Sequence, residues 1–253
     1  MSGSNDLGQW YKSIPPITRV WFTASIVVPL AVALHIVDAG QLLLYIYPII
    51  KHFEIWRLLT AVLVHGLGLK YLVKLYFLYE YSSRLETSTF NDRPADYVFC
   101  LTFLWLCNII VGLILPMPGL MVSMVMCVVY IWCQLNKEVI MSFFFGTQFK
   151  AMYMPWVILL FNWIVNGSFQ EDFCGIVIGH LYYFLVFKYP RDFDGVRLLQ
   201  TPKFLYRYFP NKRRSTSGFG TAPINRQESE DTESTTVRNR QVFGGRGHVL
   251  GTR

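Results

Sequence analysis

Near its end the chain reads Val242-Phe243-Gly244-Gly245-Arg246-Gly247-His248-Val249-Leu250. Phe243 and Leu250 are apolar anchors in an otherwise polar stretch. Gly245 and Gly247 allow backbone torsions and close approaches that a side chain would block. A Phe-x-Gly-x-Gly-x-x-Leu set in such a tail has no core to serve, so its chemistry is recognition. It is spaced to be gripped by another protein.

A second group of residues is charged where charge is costly. Lys70 and Lys74 stand four residues apart within an apolar run and therefore share one helical face. Each would cost about 2.5–3.5 kcal/mol at the centre of a bilayer on insertion scales. Two readings stand side by side: the stems snorkel toward the headgroups, or the lysines line a polar groove that admits water. Asn108 and Asn162 either join that groove or are satisfied by neighbouring helices. The five cysteines, at 100, 107, 127, 133 and 174, lie in or beside apolar segments without paired spacing. They imply no disulfide framework, no metal site and no cofactor, and read as small core residues.

The elements that must carry these residues are membrane spans. The 253 residues are 53% hydrophobic and only 15% charged, with mean hydropathy +0.34, and the apolar content lies in long blocks. Six spans are predicted: 20–37, 69–83, 97–115, 120–136, 153–165 and 173–187. Residues 42–64 are interrupted by Pro48, Lys51, His52, Glu54 and Arg57 and are too polar to cross. The loop 38–68 is therefore expected to lie in the interface, with Tyr45, Tyr47 and Trp56 at headgroup level. Ala31-Val32-Ala33 resembles a cleavage site, but the apolar run continues past it, which favours an uncleaved anchor. The fifth span holds about 13 strongly apolar residues and covers about 20 Å, against a hydrocarbon core of about 27–30 Å. Adjacent lipid is expected to thin there.

Charge sets the orientation. Lys12, Arg19, Arg84, Arg93, Lys137, Lys150 and the basic tail fall on one side, while the other carries Lys51, Arg57 and the acidic pair Glu171-Asp172. Both termini are expected to be cytosolic, 1–19 as a short segment and 188–253 as a tail. Of the 23 Lys and Arg residues, 13 lie at Lys188 or later, within a net charge of +7. Without a stacking platform or zinc spacing, that basicity excludes nucleic acid and fits a flank held near anionic lipid. Residues 198–209 mix aromatics with Lys203 and Arg207, and read as a segment lying on the membrane surface. From Asn211 onward the chain is too polar to fold alone. Arg213-Arg214-Ser215-Thr216 reads as a soluble basic patch or as a phosphorylation site, and Asn166-Gly167-Ser168 as a sequon to which the adjoining fifth span gives a membrane-bound transferase poor access.

The stretches Tyr76 to Glu86, Arg93 to Tyr97, Tyr130 to Asn136, Phe145 to Ala151, Pro155-Trp156-Val157 and Gly179-His180-Leu181-Tyr182 together resemble the Derlin family. The similarity runs from about Trp10 to Pro210 and looks nearest the type-one members of animals. The family belongs to the rhomboid superfamily, so the resemblance implies an all-α polytopic membrane protein with a six-helix rhomboid-like core and a disordered cytosolic tail. Trp56-Arg57 matches the Trp-Arg pair of the first luminal loop. Gly175 and Gly179 match the Gly-x-x-x-Gly packing motif of the sixth helix, and one turn apart they let a neighbour approach closely. His65-Gly66-Leu67-Gly68 is a shorter loop than the family pattern.

The resemblance implies work in endoplasmic-reticulum-associated degradation: helping misfolded luminal and membrane proteins to the cytosol, with no cofactor. Its tail motif, Phe243, Gly245, Gly247 and Leu250, resembles that by which Derlins bind the valosin-containing AAA+ ATPase, and Gly218-Phe219-Gly220 is a partial copy. Further implied partners are a membrane ubiquitin ligase complex, misfolded clients, the lipid bilayer, and further subunits in a homo- or hetero-oligomer. An active rhomboid protease needs Ser in Gly-x-Ser-Gly on the fourth helix and a His on the sixth. His180 has the position, but the fourth helix offers only Ser123 in Met121-Val122-Ser123-Met124, without the glycines an oxyanion site needs. His180 is expected to be buried and hydrogen-bonded, or to line the groove. The competing readings are an active intramembrane serine protease and a small-solute channel or transporter using Lys70, Lys74 and His180.

Overall fold

A computed structural model describes residues 3–142, 148–193 and 198–211. Six helices fall on the six expected spans: α2 (Pro16–Ala33), α5 (Leu69–Arg84), α6 (Pro94–Ile114), α7 (Met121–Leu135), α8 (Met154–Asn166) and α9 (Gln170–Tyr183). The helices α2, α6 and α8 each begin on a proline in the first turn, where the missing N–H costs nothing and φ is already helical. Gly167, at φ +68°, ends α8 in the left-handed region and returns its N–H to the Trp163 carbonyl at 2.8 Å.

Among the described residues, three stretches are long and apolar enough to cross a membrane by length and composition: Pro16–Ala33, Pro94–Ile114 and Gln170–Asp192. The last runs through a π-helical turn (Phe184–Lys188) and α10 (Tyr189–Asp192), beyond the boundary at 187 expected from hydropathy. The helices α7 and α8 are shorter, and α5 carries four charged residues.

The core is built around α7. Every residue from Met121 to Cys133 is buried, so this helix is apolar on all sides and has no lipid-facing stripe. It packs most closely on α9 and next on α5. Gly175 and Gly179 set the α7–α9 distance. A Cβ on Gly175 would lie 2.5 Å from the Ser123 carbonyl oxygen and 2.7 Å from Met126 Cβ. One on Gly179 would lie 3.0 Å from the Cys127 carbonyl oxygen and 3.1 Å from Tyr130 Cβ. The missing side chains are what allow this approach.

Residues 42–64 break into α3 (Ile46–His52) and α4 (Trp56–Thr60), each too short to cross. Tyr45, Tyr47, Ile50, Phe53, Trp56 and Leu59 are exposed along them. Two elements were not expected. Residues 3–13 form a helix, α1 (Gly3–Ser13), whose Trp10 indole N–H donates to the Tyr79 hydroxyl at 3.2 Å. A short antiparallel pair, β1 (Ile140–Ser142) and β2 (Gln148–Lys150), follows α7. The Lys150 ammonium hydrogen-bonds Glu138 across it at 2.7 Å, which holds its pKa above the ordinary lysine value.

Candidate functional site

Lys74 lies on the face of α5 turned toward α8 and α9, and only 7% of it is exposed. Its Nζ donates to Asp172 Oδ1 at 3.0 Å. Asn162 of α8 donates its amide to the second oxygen, Asp172 Oδ2, at 2.9 Å. Asp172 stands in the first turn of α9, where unpaired backbone N–H groups favour a carboxylate. Three helices thus meet at one buried, hydrogen-bonded ion pair.

The pair forms the floor of a cavity of about 630 Å³, mainly apolar in its walls, lined among others by Lys70, Val73, Val122, Phe161 and Glu171. Lys70 is exposed at its mouth. A second cavity of about 480 Å³ lies further along α5, lined by Tyr76, Tyr81, Glu80, Arg84, Met141 and Met154. Val73 lines both, so the two cavities follow one side of α5 from end to end. Charge recurs at the far end, where Arg84 pairs with Glu80 and lies over the Trp132 ring at 5.2 Å. A groove with apolar walls and hydrogen-bonded charges can hold an amphiphilic chain in a membrane, since polar and apolar groups each find a partner there.

Of the polar residues expected to share a groove, Lys70, Lys74 and Asn162 are brought together. Asn108 and His180 are not. Asn108 is fully buried between α6 and α7, donating to the Leu104 carbonyl at 2.8 Å and to Cys127 Sγ at 3.5 Å. Its amide N–H groups are used within α6 and on sulfurs of α7, while its Oδ1 has no hydrogen-bond partner among the described residues. His180 is exposed, and its Nδ1 hydrogen-bonds the Tyr130 hydroxyl at 2.7 Å. It is hydrogen-bonded as expected but neither buried nor in the groove. Ser123 is fully buried, and its hydroxyl has no hydrogen-bond partner among the described residues. Tyr130 lies seven residues further along α7, about 10 Å by helical rise. The histidine is therefore engaged two turns away from the serine, and the geometry assembles no nucleophile–base pair.

Arg57 is buried, its guanidinium donating to Glu54, to the Gly40 carbonyl and to the Leu43 carbonyl at 2.9 Å. Trp56 is exposed, with its indole N–H on the Gln41 carbonyl at 3.3 Å. Together they stitch α4 to the loop before it. The motif Phe243, Gly245, Gly247 and Leu250 lies outside the described residues, as do Phe219, Ser215 and Thr216.

Three carboxylates escaped the sequence reading. Asp172 was visible only as half of an acidic pair; its partner lies 98 positions away. Glu86 is buried and caps α2 from a distance, accepting from the Ile17 N–H (3.1 Å), the Thr18 N–H (2.8 Å) and the Thr18 hydroxyl (2.7 Å). The Thr18 hydroxyl also meets Ser82, which meets the Tyr97 hydroxyl at 2.6 Å. Asp96, at the start of α6, accepts hydrogen bonds from Thr201 and from Tyr206 of α11 (Lys203–Tyr208). Burial, and then the Asp96 carboxylate, raise the Tyr206 hydroxyl pKa above the ordinary value.

Residues 14–203 match the model of the Der1-like family. The chain is 48% identical to Derlin-1 of Homo sapiens over 231 residues, covering 90% of this chain and 92% of that protein. It is 38% identical to Derlin-1 of Drosophila melanogaster over 225 residues, covering 87% and 91%. With Derlin-2.1 of Arabidopsis thaliana it shares 35% over 218 residues, covering 81% and 88%. The six-helix membrane core, its glycine-set packing of α7 on α9 and this extent of similarity establish that the chain belongs to the Derlin family.

Proposed function

We propose that this protein is a non-catalytic component of endoplasmic-reticulum-associated degradation, multi-pass in that membrane with both termini cytosolic. It takes misfolded luminal and membrane proteins into the groove beside α5. A cytosolic AAA+ ATPase of the valosin-containing type, recruited through Phe243, Gly245, Gly247 and Leu250, supplies the pulling work. A membrane ubiquitin ligase complex and further Derlin subunits complete the assembly. The observation that carries this reading is the groove itself. Its hydrogen-bonded Lys74, Asp172 and Asn162 lie within apolar walls, so a polar chain could cross beside them without facing bare hydrocarbon. The short α8 supports it: 13 residues span about 20 Å, so lipid beside the groove must thin.

Two experiments test the two halves. A photo-crosslinking amino acid at Val73 should capture a misfolded client, whereas one at lipid-facing Ile110 on α6 should not. Equal capture at both positions would remove the groove from the mechanism. Detergent extracts of wild type and a Phe243→Ala/Leu250→Ala variant should differ in recovered ATPase. Equal recovery would move recruitment away from the terminal motif.

A further inference from the structure

Thr201 is the only Ser or Thr in the 253 residues directly followed by proline. That dipeptide is the minimal substrate of proline-directed Ser/Thr kinases. Pro202 has φ −60° and ψ 140°, so the residue after Thr201 is extended before the chain turns into α11.

The same hydroxyl holds α11 to the body of the protein. Thr201 Oγ1 donates to Asp96 Oδ1 at 2.6 Å, and the Tyr206 hydroxyl donates to that same oxygen at 2.7 Å. The other oxygen faces Arg93 Nε at 3.8 Å. Thr201, Asp96, Arg93, Lys203 and Tyr206 border a cavity of about 600 Å³ where α6, the end of α9 and this segment meet. One carboxylate oxygen therefore anchors both ends of the 201–206 turn.

We propose that Thr201 is a phosphorylation site whose modification releases residues 198–211 from α6. In the transfer, Thr201 Oγ1 attacks the γ-phosphorus of ATP. A new O–P bond forms, the bond from that phosphorus to the β,γ-bridging oxygen breaks, ADP leaves, and the hydroxyl proton passes to the kinase base. The phosphothreonine no longer carries the hydroxyl donor. It brings a charge of about −1.5 to −2 against Asp96, within what was hydrogen-bond distance. The Tyr206 bond uses the same oxygen and is lost with the turn. Arg93 is half exposed, with 54% of its side chain accessible, so its attraction for the phosphate is screened and offsets little. In cells the switch depends on the cytosolic orientation proposed above; with purified protein it does not.

The test uses the full chain in lipid nanodiscs with a proline-directed kinase and ATP, the modified residue being assigned by mass spectrometry. Trypsin cleavage after Arg207 reports opening, since proteolysis follows the open population. We expect phosphate on Thr201 and cleavage at least about tenfold faster, as befits two lost hydrogen bonds to an ionised acceptor. Thr201→Val, which loses the donor without gaining charge, should cleave at an intermediate rate that the kinase leaves unchanged. The proposal is overturned if Thr201 stays unmodified in the folded protein while a peptide of residues 198–209 is labelled. It is also overturned if the phosphorylated protein cleaves no faster, which would mean that Arg93 and Lys203 hold the phosphate in place.

Discussion

The Lys74–Asp172 pair should behave as an all-or-none unit. Asp172→Ala leaves a buried ammonium without its counter-charge and the Asn162 amide without its acceptor. Stranding one member of a buried pair typically costs about 3–5 kcal/mol. Removing all the polar groups together, as Lys74→Met/Asn162→Leu/Asp172→Leu, strands nothing. That variant should lie within about 1 kcal/mol of wild type or above it. The assay is thermal unfolding in detergent followed by a thiol-reactive dye, which reads the free cysteines Cys100, Cys127, Cys133 and Cys174, all buried in the folded state. A double-mutant cycle on Lys74 and Asp172 then gives the coupling directly. If the apolar triple variant were as unstable as Asp172→Ala, the pair would be contributing stability in its own right and the reasoning would fail. The same triple variant, folded as expected, is the cleanest probe of the groove, since it lacks the buried ion pair.

Gly175→Ala should destabilise more than Gly179→Ala, about 3 kcal/mol against about 1, because only the first Cβ falls well inside contact distance of a backbone oxygen; the same thiol assay ranks them. Glu86→Ala removes three acceptor bonds from the start of α2 and should cost about 2–4 kcal/mol, with Glu86→Gln recovering part of it. A serine-reactive fluorophosphonate should leave Ser123 unlabelled in the folded protein, and labelling abolished by His180→Ala would restore the protease reading. Cryo-EM in nanodiscs should show the bilayer thinned beside α8; uniform thickness would contradict the mismatch argument.

The spans were legible because hydrophobic length is a local property: 97–115 and 120–136 in the sequence became 94–114 and 121–135 in the fold. The N-terminal helix was not, because Trp10 and Tyr11 are too few apolar residues to mark a helix among polar neighbours, and the packing of Trp10 against Phe22 and Tyr79 is tertiary. Lys74 announced itself as a charge inside an apolar run, but nothing local pointed to Asp172, and two readings stayed open until the partner was seen. Asn108, Asn162 and His180 looked equivalent in sequence. They differ because α6 presents Asn108 to α7 and α9 turns His180 outward, and helix rotation about its axis is set by packing that a single sequence does not display.

The capping of α2 by Glu86 has a consequence for biogenesis. Residues 16–33 reach the membrane before residue 86 has left the ribosome, so the first span enters with the N–H groups of Ile17 and Thr18 awaiting their acceptor. Those groups reach their final partners only when the second span is in place and its end lies beside the start of the first. The first span is therefore finished by the second, and a nascent chain stalled between them holds an anchor whose starting turn still relies on water.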